Sequence, residues 1–187
     1  KIHDVVSDNR GAELAQMMID SAGEVADDIL PARGGLVISL VDQTLGNTNG
    51  LLLKDKGTFM MGGLNSNINI GETSLTASQT EESRRYEMDF DEIGRRSGEK
   101  VDSLRDSYEL PDGDIPVIIS PDAVSQVMHF SLIPSFNGEN VRKGKSFYEG
   151  RLGEKVAHDN FNLMDDPTLD WGIGSGEFDD EGIPSRK

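Results

Sequence analysis

The residues best suited to chemistry are carboxylates and glycines crowded toward the end of the chain. They form Asp165-Asp166-Pro167 and then Phe178-Asp179-Asp180-Glu181-Gly182. Clustered carboxylates can hold a hard cation, but these do not match the spacing of an EF-hand loop. The structural alternative is that each Asp accepts backbone N–H groups two residues on and so fixes a turn. Gly172-x-Gly174-x-Gly176 echoes a phosphate loop, yet no helix or lysine comes after it to complete the cradle. Ser146 and His158 could meet as nucleophile and base, but nothing in their spacing requires it. There are three histidines and no cysteine, so thiolate metal sites are excluded. His129 reads as a partly buried helix histidine, because a catalytic zinc needs about three protein ligands and a lone imidazole supplies one.

Lys145 to Gly182 is long and irregular, the kind of segment that carries function more often than packing. Its Ser146, Gly150, Gly153-Glu154 and Val156, then Asp165-Asp166-Pro167, then Asp179-Asp180-Glu181-Gly182 fall in a familiar order. They resemble the S-x-x-x-G-x-x-G-E-x-V, D-D-P and D-D-E-G runs of the TldD/PmbA family. Asn47-Thr48-Asn49-Gly50 resembles the N-S-x-G turn of the same family. These are candidate modulators of DNA gyrase and two-subunit metalloproteases of the bacterial and archaeal cytoplasm. The active branch carries H-E-x-x-x-H on a helix, two histidines for the metal and a glutamate as base. Counted without a gap between Pro121 and Ser146, His129 falls on the first histidine, Phe130 on the glutamate and Pro134 on the second histidine. The resemblance therefore implies the PmbA/TldE-like partner: no catalytic residue, no metal and no cofactor in this chain, with zinc in a TldD-like subunit.

The same resemblance implies a chain inactive alone. It would be a non-catalytic, cytoplasmic subunit of a TldD/TldE-type complex that processes extended or unfolded peptides. Two other readings stay open. One is a stand-alone homodimeric binding or assembly protein without protease activity. The other is an active metallopeptidase using ligands outside this stretch. Family members are much longer, so the chain reads as a middle piece. Residues 1–109 are expected to be the later part of the family's N-terminal domain, and 110–187 the start of its C-terminal domain.

Composition bears on partners rather than on that role. Thirty-four acidic residues against eighteen basic give a formal net charge of −16. Phosphate contacts need clustered Lys and Arg, so direct nucleic-acid binding is disfavoured. The longest apolar runs, such as Leu36-Val37-Ile38-Ser39-Leu40-Val41, are too short to span a bilayer.

The elements that must position these residues read as an α+β fold, mostly antiparallel sheets with packed helices. Residues 9–28 should be a helix with Leu14, Met17, Met18, Ala22 and Val25 inward, capped by Asp8 or Asn9 and closed by Pro31 and Gly34-Gly35. Residues 36–44, 51–53, 57–70 and 73–79 read as strands, the first pair joined by the Asn-Gly hairpin signal. Gly62-Gly63 suggests a bulge or a close backbone approach. Residues 89–106 read as a helix weakened by Gly94 and Gly98. Residues 115–119 read as a strand. Ser120-Pro121 then opens a helix with Ala123, Val124, Val127, Met128 and Leu132 inward.

Overall fold

A computed structural model describes residues 10–187. The expected caps Asp8 and Asn9, and His3, lie outside the described residues. The chain forms two compact units. One combines the described residues up to Tyr108 with Asp165–Lys187, and the other is Glu109–Met164.

The first unit is a three-stranded antiparallel sheet, order β1-β2-β3, with two helices on one face. Helix α1 spans Gly11–Gly23 and buries Leu14, Met18 and Ala22, a repeat of four that makes one apolar stripe. It is shorter than expected, and Met17 faces outward. Strand β1 runs Leu30–Gly46, β2 Leu52–Ile70 and β3 Thr73–Ser83. Pro31 and Gly34-Gly35 do not end the unit as expected; they lie inside β1. The register shifts between Pro31 and Arg33, and β1 is an edge strand, where a missing N–H is tolerated. The two short segments expected at 51–53 and 57–70 are one continuous strand. Gly46 and Leu52 flank the hairpin, where Asn47 Oδ1 accepts the N–H of Asn49 and Leu51 and Gly50 takes φ 91°.

Helix α2, Phe90–Asp102, starts at Asp89, whose side chain accepts the Glu92 N–H at 3.1 Å. A short 3-10 turn, Ser103–Asp106, completes the span expected to be one helix. The inward side chains of β2 are Met60, Leu64, Ser66 and Ile68, alternating as a half-buried strand must. Met60 and Leu64 join Leu14, Met18, Ala22, Phe90 and Ile93 in the main core. Each large apolar side chain there contributes about 1.5–3 kcal/mol on burial. Ile29, Ile68 and Val101 make a second, smaller cluster. The buried hydroxyls are satisfied: Ser66 and Ser97 bond each other at 2.8 Å, and Ser97 Oγ lies 2.9 Å from the Leu64 carbonyl.

Gly94 and Gly98 set the helix crossing. A Cβ at Gly94 would stand 2.1 Å from the Met18 carbonyl oxygen, and one at Gly98 2.8 Å from that of Ala22. Gly62 gives similar clearance to the Phe90 ring, at 2.9 Å. The expected alternatives at Gly62-Gly63 thus resolve to close approach, with the β1–β2 register unbroken there.

In the second unit the expected strand at 115–119 does not form, and those residues pair with no other strand. A strand needs a neighbour for its N–H and C=O groups, and none lies beside it among the described residues. Ile115, Val117, Ile118 and Ile119 are all exposed. Helix α3, Pro121–Val127, is capped by the Ser120 hydroxyl, which accepts from Ala123 N at 3.3 Å, with Pro121 in its first turn. Its expected buried side is not buried: Val124 and Val127 are exposed. A π-turn, Met128–Leu132, leads into α4, Ile133–Phe136, and then α5, Gly138–Arg142.

Candidate functional site

Positions 129–132 sit on that π-turn, and Ile133 and Pro134 open α4 directly after it. Pro134 has no N–H to give the Phe130 carbonyl, so an α-helical bond is lost there. The Ile133 N–H instead bonds the Met128 carbonyl, five residues back. Such single wide turns recur at functional sites. Positions 129 and 134 carry an imidazole and a pyrrolidine ring. His129 is exposed rather than partly buried, because nothing in its unit covers α3. Its ring meets the Phe130 ring edge-on at 4.9 Å, and Phe130 is 77% exposed. Phe130 offers no base and Pro134 no ligand. Among the described residues no three His, Cys, Asp or Glu side chains come together to hold an ion. The donor set does not fit catalytic zinc.

Ser146 does not meet His158. It is buried, and its hydroxyl donates to the Ser135 carbonyl at 2.6 Å and accepts the Tyr148 N–H at 3.0 Å. It thereby ties the glycine-rich loop to the end of α4. Phe136 and Tyr148 stack beside it at 4.8 Å. His158 Nδ1 is occupied by the Asn160 N–H. Gly150 and Gly153 take φ of 74° and 83°, the left-handed region that only glycine enters freely. Glu154 pairs with Arg151 at 3.0 Å.

The acidic turns are built into the first unit. Asp166 Oδ1 accepts both the N–H and the hydroxyl of Thr168, and Oδ2 pairs with Lys187 at 3.2 Å. The Thr168 hydroxyl and then Lys187 hold the Asp166 carboxyl below the usual carboxylate range. Asp179 Oδ1 accepts the N–H of Glu181 and of Ile183. Asp165, Asp180 and Glu181 are exposed. Gly182, at φ 83°, presses on the hairpin base: a Cβ there would stand 2.6 Å from Leu51 and 3.2 Å from Leu53. Asp166 and Asp179 thus cap turns.

Sequence reasoning missed the seat of this segment on the sheet. Arg84, just past β3, donates from Nη1 to the carbonyls of Gly172 (3.3 Å) and Ser175 (2.7 Å). The Thr58 hydroxyl fixes the Arg84 carbonyl. Arg85 lies 4.8 Å from the Trp171 ring centre. Trp171 holds φ 61°, a conformation that costs a non-glycine residue about 1–2 kcal/mol. The one available sequence signal was Arg84-Arg85, two adjacent cations in a chain poor in them.

A family model described as the PmbA/TldA metallopeptidase C-terminal domain matches residues 112–187. A metalloprotease of Methanothermobacter thermautotrophicus is 36% identical over 95 residues, 51% of this chain and 21% of that protein. The fold superposes on TldE of Thermococcus kodakarensis with a TM-score of 0.87 at 24% identity, over 95% of this chain and 40% of that one. A candidate DNA gyrase modulator of Thermotoga maritima gives a TM-score of 0.87 at 25% identity, over 95% of this chain and 41% of that one. The chain thus spans about a fifth to two fifths of these three proteins.

Proposed function

Since the chain belongs to the TldD/PmbA family of TldD/TldE-type metalloproteases, we propose that it is a PmbA/TldE-like, non-catalytic part of such an assembly. A TldD-like partner would supply zinc and base. This protein would help admit an extended or unfolded peptide. Residues 1–109 would belong to the family's N-terminal domain and 110–187 to the start of its C-terminal domain, a division supported by the family match over 112–187. The observation that carries the reading is Phe130 on the π-turn and Pro134 at the start of α4, where the resemblance expects a base and a ligand. Ser146, Gly150, Gly153, Glu154, Asp165, Asp166, Asp179, Asp180, Glu181 and Gly182 serve in this reading as the family's loop framework rather than as reacting groups. The proposed location is the cytoplasm, as the resemblance implies. No helix among the described residues is long and apolar enough to cross a membrane.

The test purifies the protein alone and with a TldD-like subunit, then offers an unfolded peptide and measures bound zinc. Cleavage is expected only with the partner. Zinc at one equivalent in this chain, lost in His129→Ala, or cleavage by this chain alone, would overturn the assignment. A stable homodimer that ignores every TldD-like subunit would favour the stand-alone binding protein instead.

A further inference from the structure

Beside the seat of Trp171 is a cavity of about 420 Å³ within the first unit. Leu40 and Val41 of β1 give it apolar walls, Trp171 a ring, and Arg84 a guanidinium. The other two charges there, Asp42 and Lys56, pair with each other at 2.8 Å. Arg84 is different. Its Nη1 is used by two backbone carbonyls, and no carboxylate pairs with it among the described residues. In a chain of net charge −16, a half-buried arginine left without a carboxylate is conspicuous. Gly57 makes the space: a Cβ there would stand 3.1 Å from Arg84 Nη2, so the guanidinium lies against bare backbone. Trp171 is kept in the left-handed region at the cavity wall, and backbone strain of that kind is retained where the surroundings over-determine it.

The geometry points to a carboxylate-binding subsite: Arg84 takes the carboxylate of a peptide, while Leu40, Val41 and the Trp171 ring take the apolar side chain beside it. Charge complementarity carries the choice of occupant. The cavity holds one internally neutral pair and one unneutralised cation, and a guanidinium presents paired donors that match a carboxylate. The apolar walls favour a chain-terminal residue such as leucine over an inorganic anion. A peptide's carboxylate can come from its C-terminus or from an acidic side chain, and the chemistry at Arg84 is the same. This inference stands apart from the subunit reading, whose tests are zinc and cleavage.

Trp171 is the only tryptophan in the chain, so its emission reports on the cavity wall directly. Three N-acetylated dipeptides are titrated: one ending in leucine with a free carboxylate, the same peptide amidated, and an amidated one ending in glutamate. The free acid is expected to change Trp171 emission saturably, at least ten-fold tighter than its amide. Amidated glutamate binding as well as the free acid would assign the carboxylate to a side chain; weaker binding would assign it to the C-terminus. Arg84→Gln should abolish the preference for the acid. That change also removes the bonds to Gly172 and Ser175, so Leu40→Asp is the second variant. It keeps those bonds, sets a competing carboxylate beside Arg84, and should weaken the free acid about ten-fold. Equal affinity for acid and amide, no saturable response, or indifference to Leu40→Asp would overturn the proposal.

Discussion

A single hydrogen atom decides the helix crossing at Gly94. Gly94→Ala puts a methyl 2.1 Å from the Met18 carbonyl, and backbone cannot yield as a side-chain tip can. Overpacking of this kind costs about 1–3 kcal/mol or more, so the thermal midpoint should fall by several degrees. A midpoint unchanged within one degree would mean the helices do not cross there. Nothing local in the sequence announces this. Read alone, Gly94 and Gly98 lower helix propensity, and their purpose lies more than seventy residues away in Met18 and Ala22. The Asn47–Gly50 hairpin is legible because donor, acceptor and left-handed glycine all sit within four positions. Asp179 is half legible: its type and neighbours suggest a turn cap or a cation ligand, and two N–H bonds make it a cap. Asp179→Ala should cost about 0.5–2 kcal/mol, by analogy with a lost helix cap. Asp179→Asn, which keeps the accepting oxygen, should recover most of that in a denaturant titration. Equal losses for both variants would point to the charge and not the bond.

At the scale of elements, what the sequence conveys is periodicity, and what it withholds is partners. β2 reads as two pieces, 51–53 and 57–70, because the charged Lys54-Asp55-Lys56 interrupts its apolar residues, whereas these three lie within one long strand of the hairpin. Ile115–Ile119 has the composition of a strand and, among the described residues, no strand to pair with. The segment from Asp165 docks on the sheet through Arg84 and Trp171, while the Asp166 turn ties the segment to itself through Thr168 and Lys187, so the docked form should depend on acid. The Thr168 hydroxyl, with Lys187 second, depresses the Asp166 pKa in the folded state. A carboxyl depressed on folding contributes its stability above its unfolded pKa and loses it as pH falls through the folded value. Docking should therefore be full at neutral pH and decline through and below the usual carboxylate range. Asp28, depressed by its bond to Arg105, titrates in the same sense and gives a background. Trp171 emission tracked from neutral to strongly acidic pH should show the transition, and Asp166→Asn should flatten its local part. An unaltered curve in Asp166→Asn would remove Asp166 from the docking.

For the whole molecule the governing number is the net charge of −16. Most of the ion pairs are surface pairs, such as Arg10–Glu13 and Lys143–Glu139, and each contributes little. The surplus carboxylates repel, and the Debye length falls from about 30 Å at 0.01 M salt to about 8 Å at 0.15 M. The thermal midpoint should rise over that range. A midpoint that falls with salt would mean attractive pairs outweigh the surplus. The charge is fully legible in composition; the return of the chain to its first unit after residue 164 is not, since no local pattern encodes a contact between Gly182 and the leucines of a hairpin near residue 50. That contact also sets a clock. A ribosome adds roughly 5–20 residues per second, so Leu51 and Leu53 emerge several seconds to half a minute before the glycine that covers them. Through that interval Leu51 and Leu53 lack the cover that Gly182 gives them in the finished fold.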